Sequence, residues 1–318
     1  MSPSRREFLA VTAAAGLSGA FGRAADSPSR SGVTFSFGTY GMKGLKTEDA
    51  LRAVAGIGYD GVELAVRPEW DAAPENLSRE RRRDVRQVLD EAGLRLTAFM
   101  EHLQPSADDG AHAAALDRLE RAAGLGRDLS PQRQPLIQTT LGGGRWDEVR
   151  AVYRDRLGDW AGLGRRAQTV IAIKPHRGGA MSRPEEAVWL IEQLDRTPWL
   201  RIVYDYSHYA FRDMPLEATL KTALPYTAHV AIKDAVRKGD RVEFALPGES
   251  GTFDYRELFA LLKAGGYAGD VCCEVSGLVW GQPGYDPVAA AKTCYANVAP
   301  AFEAAGLRRE RARSGDSR

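Results

Sequence analysis

The stretch IAIKPHRGG, residues 171–179, begins as an apolar run of strand-forming residues and ends abruptly in polar ones. Lys174, Pro175, His176 and Arg177 follow the apolar part directly. Because proline cannot donate to a strand ladder, the strand must end there. A buried strand that carries a lysine and a histidine to its own end is typical of α/β barrels, whose functional side chains stand at the carboxyl ends of the strands.

Seven other runs have the same character. They are apolar and rich in Val, Ile, Phe or Thr, a composition that favours strands buried on both faces. These seven are residues 33–38, 61–66, 95–102, 135–143, 200–208, 228–234 and 269–277. The run at 169–176, which contains the stretch quoted above, is the eighth.

Amphipathic segments of helical period lie between these runs, as the spacing of Leu51, Val54 and Ala55 illustrates. Gly58 and Gly93 stand where helix C-terminal caps are expected. Eight strand–helix units predict a single α/β domain, a (β/α)8 TIM barrel over residues 33–306. A doubly wound sheet is the alternative, but no GxGxxG motif opens the first unit. We expect residues 307–318 to be a disordered polar tail.

The N-terminus predicts export. Arg5 and Arg6 precede Phe8 and Leu9, and a short apolar run follows. This pattern indicates a twin-arginine signal peptide over residues 1–25, and hence a periplasmic or cell-envelope protein. An N-terminal helix of the domain is the alternative.

The composition limits the partners. The formal net charge is +1, so no strong field favours nucleic acid or an anionic membrane. After residue 25 no run reaches the roughly 20 apolar residues of a membrane span. The three cysteines, Cys272, Cys273 and Cys294, are too few for a disulfide framework and are expected to be small buried residues.

Four of the five histidines fall within the strand runs or at their ends: His102, His176, His208 and His229. Polar residues inside apolar strands are costly to bury unless they are paired or bind a ligand. Five such residues accompany the histidines: Glu63, Gln138, Asp205, Lys233 and Glu274. The sequence therefore predicts a polar site at the carboxyl face of the barrel.

Strand alternation refines this site, because every second residue shares a face. His229 and Lys233 share one face, and Cys272 and Glu274 share another. If Lys174, Asp205, Lys233 and Glu274 all point inward, two cations and two carboxylates meet in the barrel. Charges coupled in this way shift pKa values and suit proton transfer.

Several motifs together resemble the xylose isomerase-like barrels, in particular the sugar phosphate isomerase/epimerase family. The resemblance covers roughly residues 33 to 305. The matching segments are GYDGVEL (58–64), DYSHY (205–209), AHVAIKDA (228–235), LPGESGTFDY (246–255) and GGYAGDVCCEVS (265–276).

The resemblance implies one divalent metal held by a Glu after strand five, an Asp in a D-x-x-H motif, a His on strand seven and a Glu on strand eight. The two glutamates would also move protons between adjacent sugar carbons. Asp205 and Glu274 match two of these ligands, and His208 and Lys233 match other family positions. However, Lys174 and Ala231 stand where the other two ligands are expected, which puts the metal in doubt.

We therefore interpret the chain as a sugar isomerase or epimerase in which the Lys174 ammonium replaces the metal between Asp205 and Glu274. Lys174, Glu274, His176 and Asp205 would be catalytic, and Lys174 could alternatively form a Schiff base. The expected substrate-binding residues are Glu63, His102, Gln138, Arg177, His208, His229, Lys233 and Trp280. In a version with a metal, His176 or His229 would join Asp205 and Glu274 as ligands.

Other functions remain open at this stage. A non-catalytic carbohydrate-binding barrel is the main alternative, and a lyase acting on a keto-sugar is another. A nuclease of the same barrel type is disfavoured, because too few metal ligands and no basic face are present. The expected partner is a small carbohydrate, with no nucleic acid and no membrane.

Overall fold

A computed structural model of the chain describes residues 32–310, so the signal peptide expected over 1–25 lies outside the described residues. Within them, eight parallel strands close into one barrel. These are β1 (Thr34–Gly38), β2 (Gly61–Ala65), β3 (Arg95–Met100), β4 (Leu136–Thr139), β5 (Ile171–Ile173), β6 (Leu200–Tyr204), β7 (Thr227–Ile232) and β10 (Asp270–Cys273). Each expected strand run overlaps one of them, which confirms the (β/α)8 fold. Around the barrel the order is β1, β10, β7, β6, β5, β4, β3, β2.

Helices cover the outside of this barrel. They are α1 (Thr47–Ile57), α2 (Arg79–Ala92), α3 (Asp109–Leu129), α4 (Trp146–Ala167), α5 (Pro184–Gln193), α6 (Leu216–Ala223), α7 (Tyr255–Ala264), α8 (Gly277–Trp280) and α9 (Pro287–Ala304). The expected caps are confirmed, since Gly58 and Gly93 end α1 and α2 with φ of 110° and 60°. Only glycine adopts that left-handed conformation without strain. No helix in residues 32–310 is long and apolar enough to cross a membrane.

Five apolar side chains in the barrel interior form a cluster apart from the main core. They are Ala98, Leu136, Ala172, Val203 and Ala231, all buried. Alternation then puts the residue two positions further along three of these strands on the same inner face, nearer the carboxyl end. Those residues are Lys174, Asp205 and Lys233. Their inward direction therefore follows from the strand register.

A hairpin that the sequence analysis missed lies between β7 and α7. It pairs β8 (Asp234–Lys238) with β9 (Arg241–Ala245) in antiparallel register, and Lys238 stands opposite Arg241. The two-residue turn between them is Gly239–Asp240, with Gly239 at φ 59°. A Gly-Asp pair between two such runs is a recognised hairpin signal.

The predicted disordered tail at 307–318 begins too early. Leu307 is buried, and Arg309 pairs with Val33 in a parallel bridge beside β1. The Arg309 guanidinium also donates to both carboxylate oxygens of buried Asp60, at 2.8 and 3.0 Å. An ion pair and an apolar contact hold this segment, so residues 307–310 belong to the domain. Residues 311–318 lie outside the described part of the chain.

Candidate active site

Two lysines and two carboxylates meet at the carboxyl end of the barrel. Each comes directly after the last residue of a barrel strand: Lys174 after β5, Asp205 after β6, Lys233 after β7 and Glu274 after β10. All four are buried, and none is more than 7% exposed. We call these four residues the charged cluster.

The charged cluster is fully cross-paired. Lys174 Nζ donates to Glu274 Oε2 and lies 3.7 Å from Asp205 Oδ2. Lys233 Nζ donates to Glu274 Oε1 at 2.8 Å and also to Asp205 Oδ2. The other Asp205 oxygen accepts from the Ser207 hydroxyl at 2.6 Å. The four formal charges sum to zero, which makes their burial tolerable.

The ammonium groups hold both carboxylates in their ionised form. Burial alone would raise the pKa of Glu274, but Lys174 and Lys233 outweigh it and lower the pKa to about 2. Burial likewise opposes ionisation of Asp205, yet Lys233, His208 and Lys174 bring its pKa well below the usual value. Both side chains are therefore anions at neutral pH.

Lys174 is correspondingly a cation. Burial would lower its pKa, but the charges of Glu274, Asp205 and Glu63 prevail and raise the pKa above its ordinary value. A Schiff base requires a free amine, which needs a lowered pKa. The surrounding carboxylates therefore disfavour the Schiff-base role that the sequence left open for Lys174.

Two histidines beside the charged cluster are neutral. Burial, and then the neighbouring His208, Lys233 and Lys174, lower the pKa of His176 to about 3. Burial and Lys233 lower the pKa of His208 to about 4. The two rings pack with their centroids 4.1 Å apart. Each imidazole can therefore accept a proton or a hydrogen bond at neutral pH.

The residues present do not fit the metal ion that the resemblance implies. A divalent cation between Asp205 and Glu274 would meet the Lys174 ammonium, which already contacts one carboxylate and lies near the other. Ala231 offers no donor atom. Within residues 32–310, no histidine joins Asp205 and Glu274 in a set of three donor atoms within 4.8 Å of one another. The alternative with His176 or His229 as the third ligand is therefore not formed.

A second polar group lies deeper in the barrel. Gln138 Nε2 donates to Glu63 Oε2 at 2.6 Å, and His229 Nε2 lies 3.2 Å from the same oxygen. Cys272 completes the group, and all four side chains are at most 1% exposed. Because His229 and Cys272 each precede the charged cluster on the same strand face, we call this group the deep layer.

An open cavity of about 330 Å³ lies above the charged cluster. Lys174, Lys233, Glu274 and His176 line it, whereas Asp205 stands behind the lysines. This volume is at the lower end of the range for small-molecule sites. A compact polar ligand would therefore meet both ammonium groups, one carboxylate and a neutral imidazole.

The expected substrate-binding residues separate into three places. His102, Gln138 and Lys233 line the cavity. Glu63, His208 and His229 are buried beneath or behind it.

The remaining two expected substrate contacts lie outside the cavity lining. The Arg177 guanidinium donates to the Ala210 carbonyl at 2.8 Å, which ties the loop after β5 to the loop after β6. Trp280 packs edge-on against Tyr40 and Trp70, with ring centroids 5.5 and 6.0 Å apart. Both side chains hold loops together, and neither lines this cavity. The expectation that Arg177 and Trp280 contact a substrate in the cavity is therefore corrected.

The cavity-lining residues that escaped the sequence analysis include Tyr40, Arg67, Glu101 and Phe244. Tyr40, Arg67 and Glu101 stand within two residues of the end of a barrel strand, so a search of the loops after each strand would have found them. Phe244 comes from β9 and required recognition of the Gly239–Asp240 hairpin. Its ring lies 5.1 Å from Lys233 Nζ, close enough for a cation–π contact.

Comparisons with known proteins agree with this fold. A family model described as "Xylose isomerase-like TIM barrel" matches residues 51–293. A human protein named "Putative hydroxypyruvate isomerase" is 26% identical over 258 residues, covering 72% of this chain and 86% of its own.

Two solved structures share the fold. A 3-keto-D-glucoside 4-epimerase from E. coli aligns with a TM-score of 0.66 at 18% identity, covering 84% of this chain and 99% of its own. A D-psicose 3-epimerase solved in the presence of D-fructose aligns with a TM-score of 0.68 at 14% identity, covering 86% of this chain and all of its own.

Proposed function

Since the chain belongs to the xylose isomerase-like TIM barrel family, we propose that it moves a proton between adjacent carbons of a small carbohydrate, as a sugar isomerase or epimerase. The names of the human relative and of the structural neighbours support this class of reaction. The observation that carries the proposal is the charged cluster, where Lys174 and Lys233 place two ammonium groups at the floor of the cavity. In our proposal Lys174 takes the place of the family's metal ion.

The ammonium groups would act on the sugar carbonyl. Loss of a proton from the carbon beside a carbonyl leaves an electron pair that forms the C=C bond of an enediolate. The negative charge then develops on the former carbonyl oxygen. Preorganised cations stabilise such charge strongly in a site that excludes water. Lys174 and Lys233 both line the cavity and can contact that oxygen.

The proton itself needs an acceptor. Ionised Glu274 and neutral His176 both line the cavity and can take a proton from carbon. Returning that proton to the neighbouring carbon, while the adjacent hydroxyl passes its own proton to the former carbonyl oxygen, converts an aldose into a ketose. One base is enough for these proton transfers.

Inversion of a single carbon makes a stricter demand. The proton must leave from one face and return to the other, which requires a proton acceptor on one side and a proton donor on the other. The resemblance assigns those roles to two glutamates, and Lys174 stands at the first position. Isomerisation is therefore a better fit to these residues than epimerisation.

A specific observation also favours a second candidate, a non-catalytic carbohydrate binder. Both carboxylates are engaged by ammonium groups, and a pKa of about 2 makes Glu274 a weak base. A barrel retained for sugar binding alone would tolerate that pairing.

Deuterium exchange separates the two candidates. The purified protein is incubated in D2O with a panel of aldoses, ketoses and hydroxypyruvate, and deuterium at carbon is followed by NMR. We expect exchange beside the carbonyl of at least one compound. Lys174→Met and Glu274→Gln should each slow it at least about 100-fold, as loss of a charge-stabilising or proton-transfer group does.

Lys221→Met, on exposed α6, is the control and should exchange at the wild-type rate. Saturable binding of a sugar without exchange in any variant would establish the binder instead. Unchanged exchange in both Lys174→Met and Glu274→Gln would rule out the proposed roles.

Export is part of the proposal for the N-terminal region. Arg5 and Arg6 support the twin-arginine route. The double variant Arg5→Lys/Arg6→Lys should accumulate as an unprocessed precursor in the cytoplasmic fraction. Equal amounts of wild type and double variant in the envelope fraction would contradict this route.

A further inference from the structure

We propose that the deep layer binds one transition-metal ion of the zinc class, held by Glu63, His229 and Cys272 beneath the charged cluster. The position and ligands differ from those implied by the family resemblance, where the ion would lie at the strand ends between Asp205 and Glu274. The proposal stands independently of the reaction proposed above.

The three donor groups have the right identity and spacing. A carboxylate oxygen, an imidazole nitrogen and the Cys272 sulfur all lie within 4.8 Å of one another. Carboxylate, imidazole and thiolate are the ligands that zinc prefers. Ligands about 2.0 to 2.3 Å from a tetrahedral ion stand about 3.3 to 3.8 Å apart, so small shifts would bring these atoms to an ion. Each ligand comes from a strand of the closed barrel, β2, β7 or β10.

Several of the donor atoms lack other partners, although Cys272 Sγ lies 3.6 Å from the Cys273 carbonyl, to which it can donate. Glu63 Oε1 and both ring nitrogens of His229 make no hydrogen bond, although both side chains are at least 99% buried. His229 Nε2 lies 3.2 Å from Glu63 Oε2, but the two atoms are not aligned as donor and acceptor. Unsatisfied buried polar atoms are costly and call for a specific explanation. A shared ion would satisfy a carboxylate oxygen and an imidazole nitrogen together.

Gly38 leaves space beside two of the donors. A methyl group added at Gly38 would stand 3.1 Å from Glu63 Oε1 and 3.5 Å from Cys272 Sγ. The φ of Gly38 is −89°, which any residue adopts, so backbone strain does not explain the glycine. The absence of a side chain at Gly38 leaves space for a metal ion to reach the Glu63 carboxylate and the Cys272 sulfur.

Gln138 supplies a supporting contact and a route from the cavity. Its amide holds Glu63 Oε2 at 2.6 Å and leaves Oε1 free to bind. Hydrogen bonds of this kind orient metal-binding carboxylates. Gln138 also lines the cavity, so rotation of its side chain would connect the deep layer with solvent.

The charges balance with the ion in place. The charged cluster already sums to zero. When the ion binds, Cys272 releases its thiol proton to solvent. The charges of the divalent cation, the Glu63 carboxylate, the Cys272 thiolate and a neutral imidazole ligand then also sum to zero. Both levels of the barrel would then be neutral, which minimises the cost of burying charge near Lys174.

Cobalt(II) gives a readout that is independent of enzyme activity. The purified full chain is titrated with Co²⁺, and thiolate-to-cobalt charge-transfer absorption is recorded. We expect one equivalent to produce that absorption and Zn²⁺ to displace it. An ion held by Asp205 and Glu274 would produce no thiolate band, because that level of the barrel has no sulfur ligand.

Neighbouring cysteines provide a matched pair of variants. Cys272→Ser should abolish the absorption, whereas Cys273→Ser should retain it, since both residues are fully buried but only Cys272 belongs to the deep layer. Gln138→Leu should weaken cobalt binding about 10- to 100-fold while keeping the band. Gly38→Ala should compete with the ion for space and also weaken binding.

Three outcomes would overturn the proposal: no thiolate band in the wild type, loss of the band in Cys273→Ser alone, or full retention in Cys272→Ser. The wild-type measurement decides the matter even if a variant fails to fold. In that event His229 and Glu63 would be buried neighbours without a metal.

Discussion

Lys174 and Glu274, 100 residues apart in the sequence, form a buried ion pair across the end of the barrel, and Lys233 binds the second oxygen of the same carboxylate. Each member therefore depends on the others for neutrality. Removing one partner leaves an uncompensated buried charge, which is far more costly than removing a balanced pair.

Lys174→Met should lower the free energy of unfolding by about 3 kcal/mol, because it leaves two carboxylates sharing one ammonium. The double variant Lys174→Met/Glu274→Met should recover most of that loss, since Lys233 and Asp205 remain paired. Urea unfolding at pH 7 measures both. Equal losses in the single and double variants would show that ion pairing does not set the stability here.

Acid should begin to destabilise the protein below about pH 6.5. Burial and Lys233 lower the pKa of His208 from its ordinary 6.5 to about 4. Between those values the unfolded chain binds a proton that the folded chain does not, so stability falls as pH falls. The difference corresponds to on the order of 3 kcal/mol. His208→Gln should show a shallower decline from pH 7 to 4.5 in urea titrations; an unchanged decline would contradict the assignment.

A second acid transition should follow from Glu274. Its pKa of about 2 lies below the ordinary 4.5, so its contribution to stability is complete above pH 4.5 and is lost as pH falls towards 2. Glu274→Gln should therefore differ most from the wild type at neutral pH and converge with it in acid. A stability difference that is constant from pH 7 to 2.5 would refute this account.

Arg309→Ala should reduce the free energy of unfolding by about 1 to 3 kcal/mol, because the guanidinium donates two hydrogen bonds to the buried Asp60 carboxylate. The neighbouring Arg308 is exposed, so Arg308→Ala is the matched control and should be within about 0.5 kcal/mol of wild type. Thermal or urea unfolding of the three proteins compares them. Similar values for both variants would place the segment after residue 306 outside the cooperative unit.

Phe244→Ala tests the hairpin as part of the ligand site. The ring lines the cavity and covers Lys233 and His208, so its removal should weaken sugar binding about 5- to 10-fold. The adjacent Glu243 pairs with Lys238 on the other side of the hairpin, and Glu243→Ala should leave binding unchanged. Isothermal titration with a compound that undergoes exchange provides the comparison. Equal effects of the two substitutions would indicate a general role of the hairpin.

The sequence predicted the barrel because eight apolar, strand-like runs alternate with segments of helical period. It also predicted that Lys174, Asp205, Lys233 and Glu274 meet, since register and alternation are local properties. It did not predict the ionisation state of Lys174, which depends on which carboxylate lies nearest in space. Nor did it separate the deep layer from the charged cluster. Glu63 lies in the middle of β2, whereas the members of the charged cluster follow the last residues of their strands.

The parallel pairing of β1 with β10, which closes the barrel, has a consequence for folding during synthesis. We call this pairing the seam of the barrel. Ser36 and Val271, which are hydrogen-bonded across that seam, are 235 residues apart in the chain. At about 5 to 20 residues per second, a ribosome needs roughly 10 to 50 s to supply the second strand. Throughout that interval β1 presents an unpaired apolar edge, a liability for aggregation. Synthesis of this barrel therefore passes through a long window in which chaperone supply, rather than final stability, governs its yield.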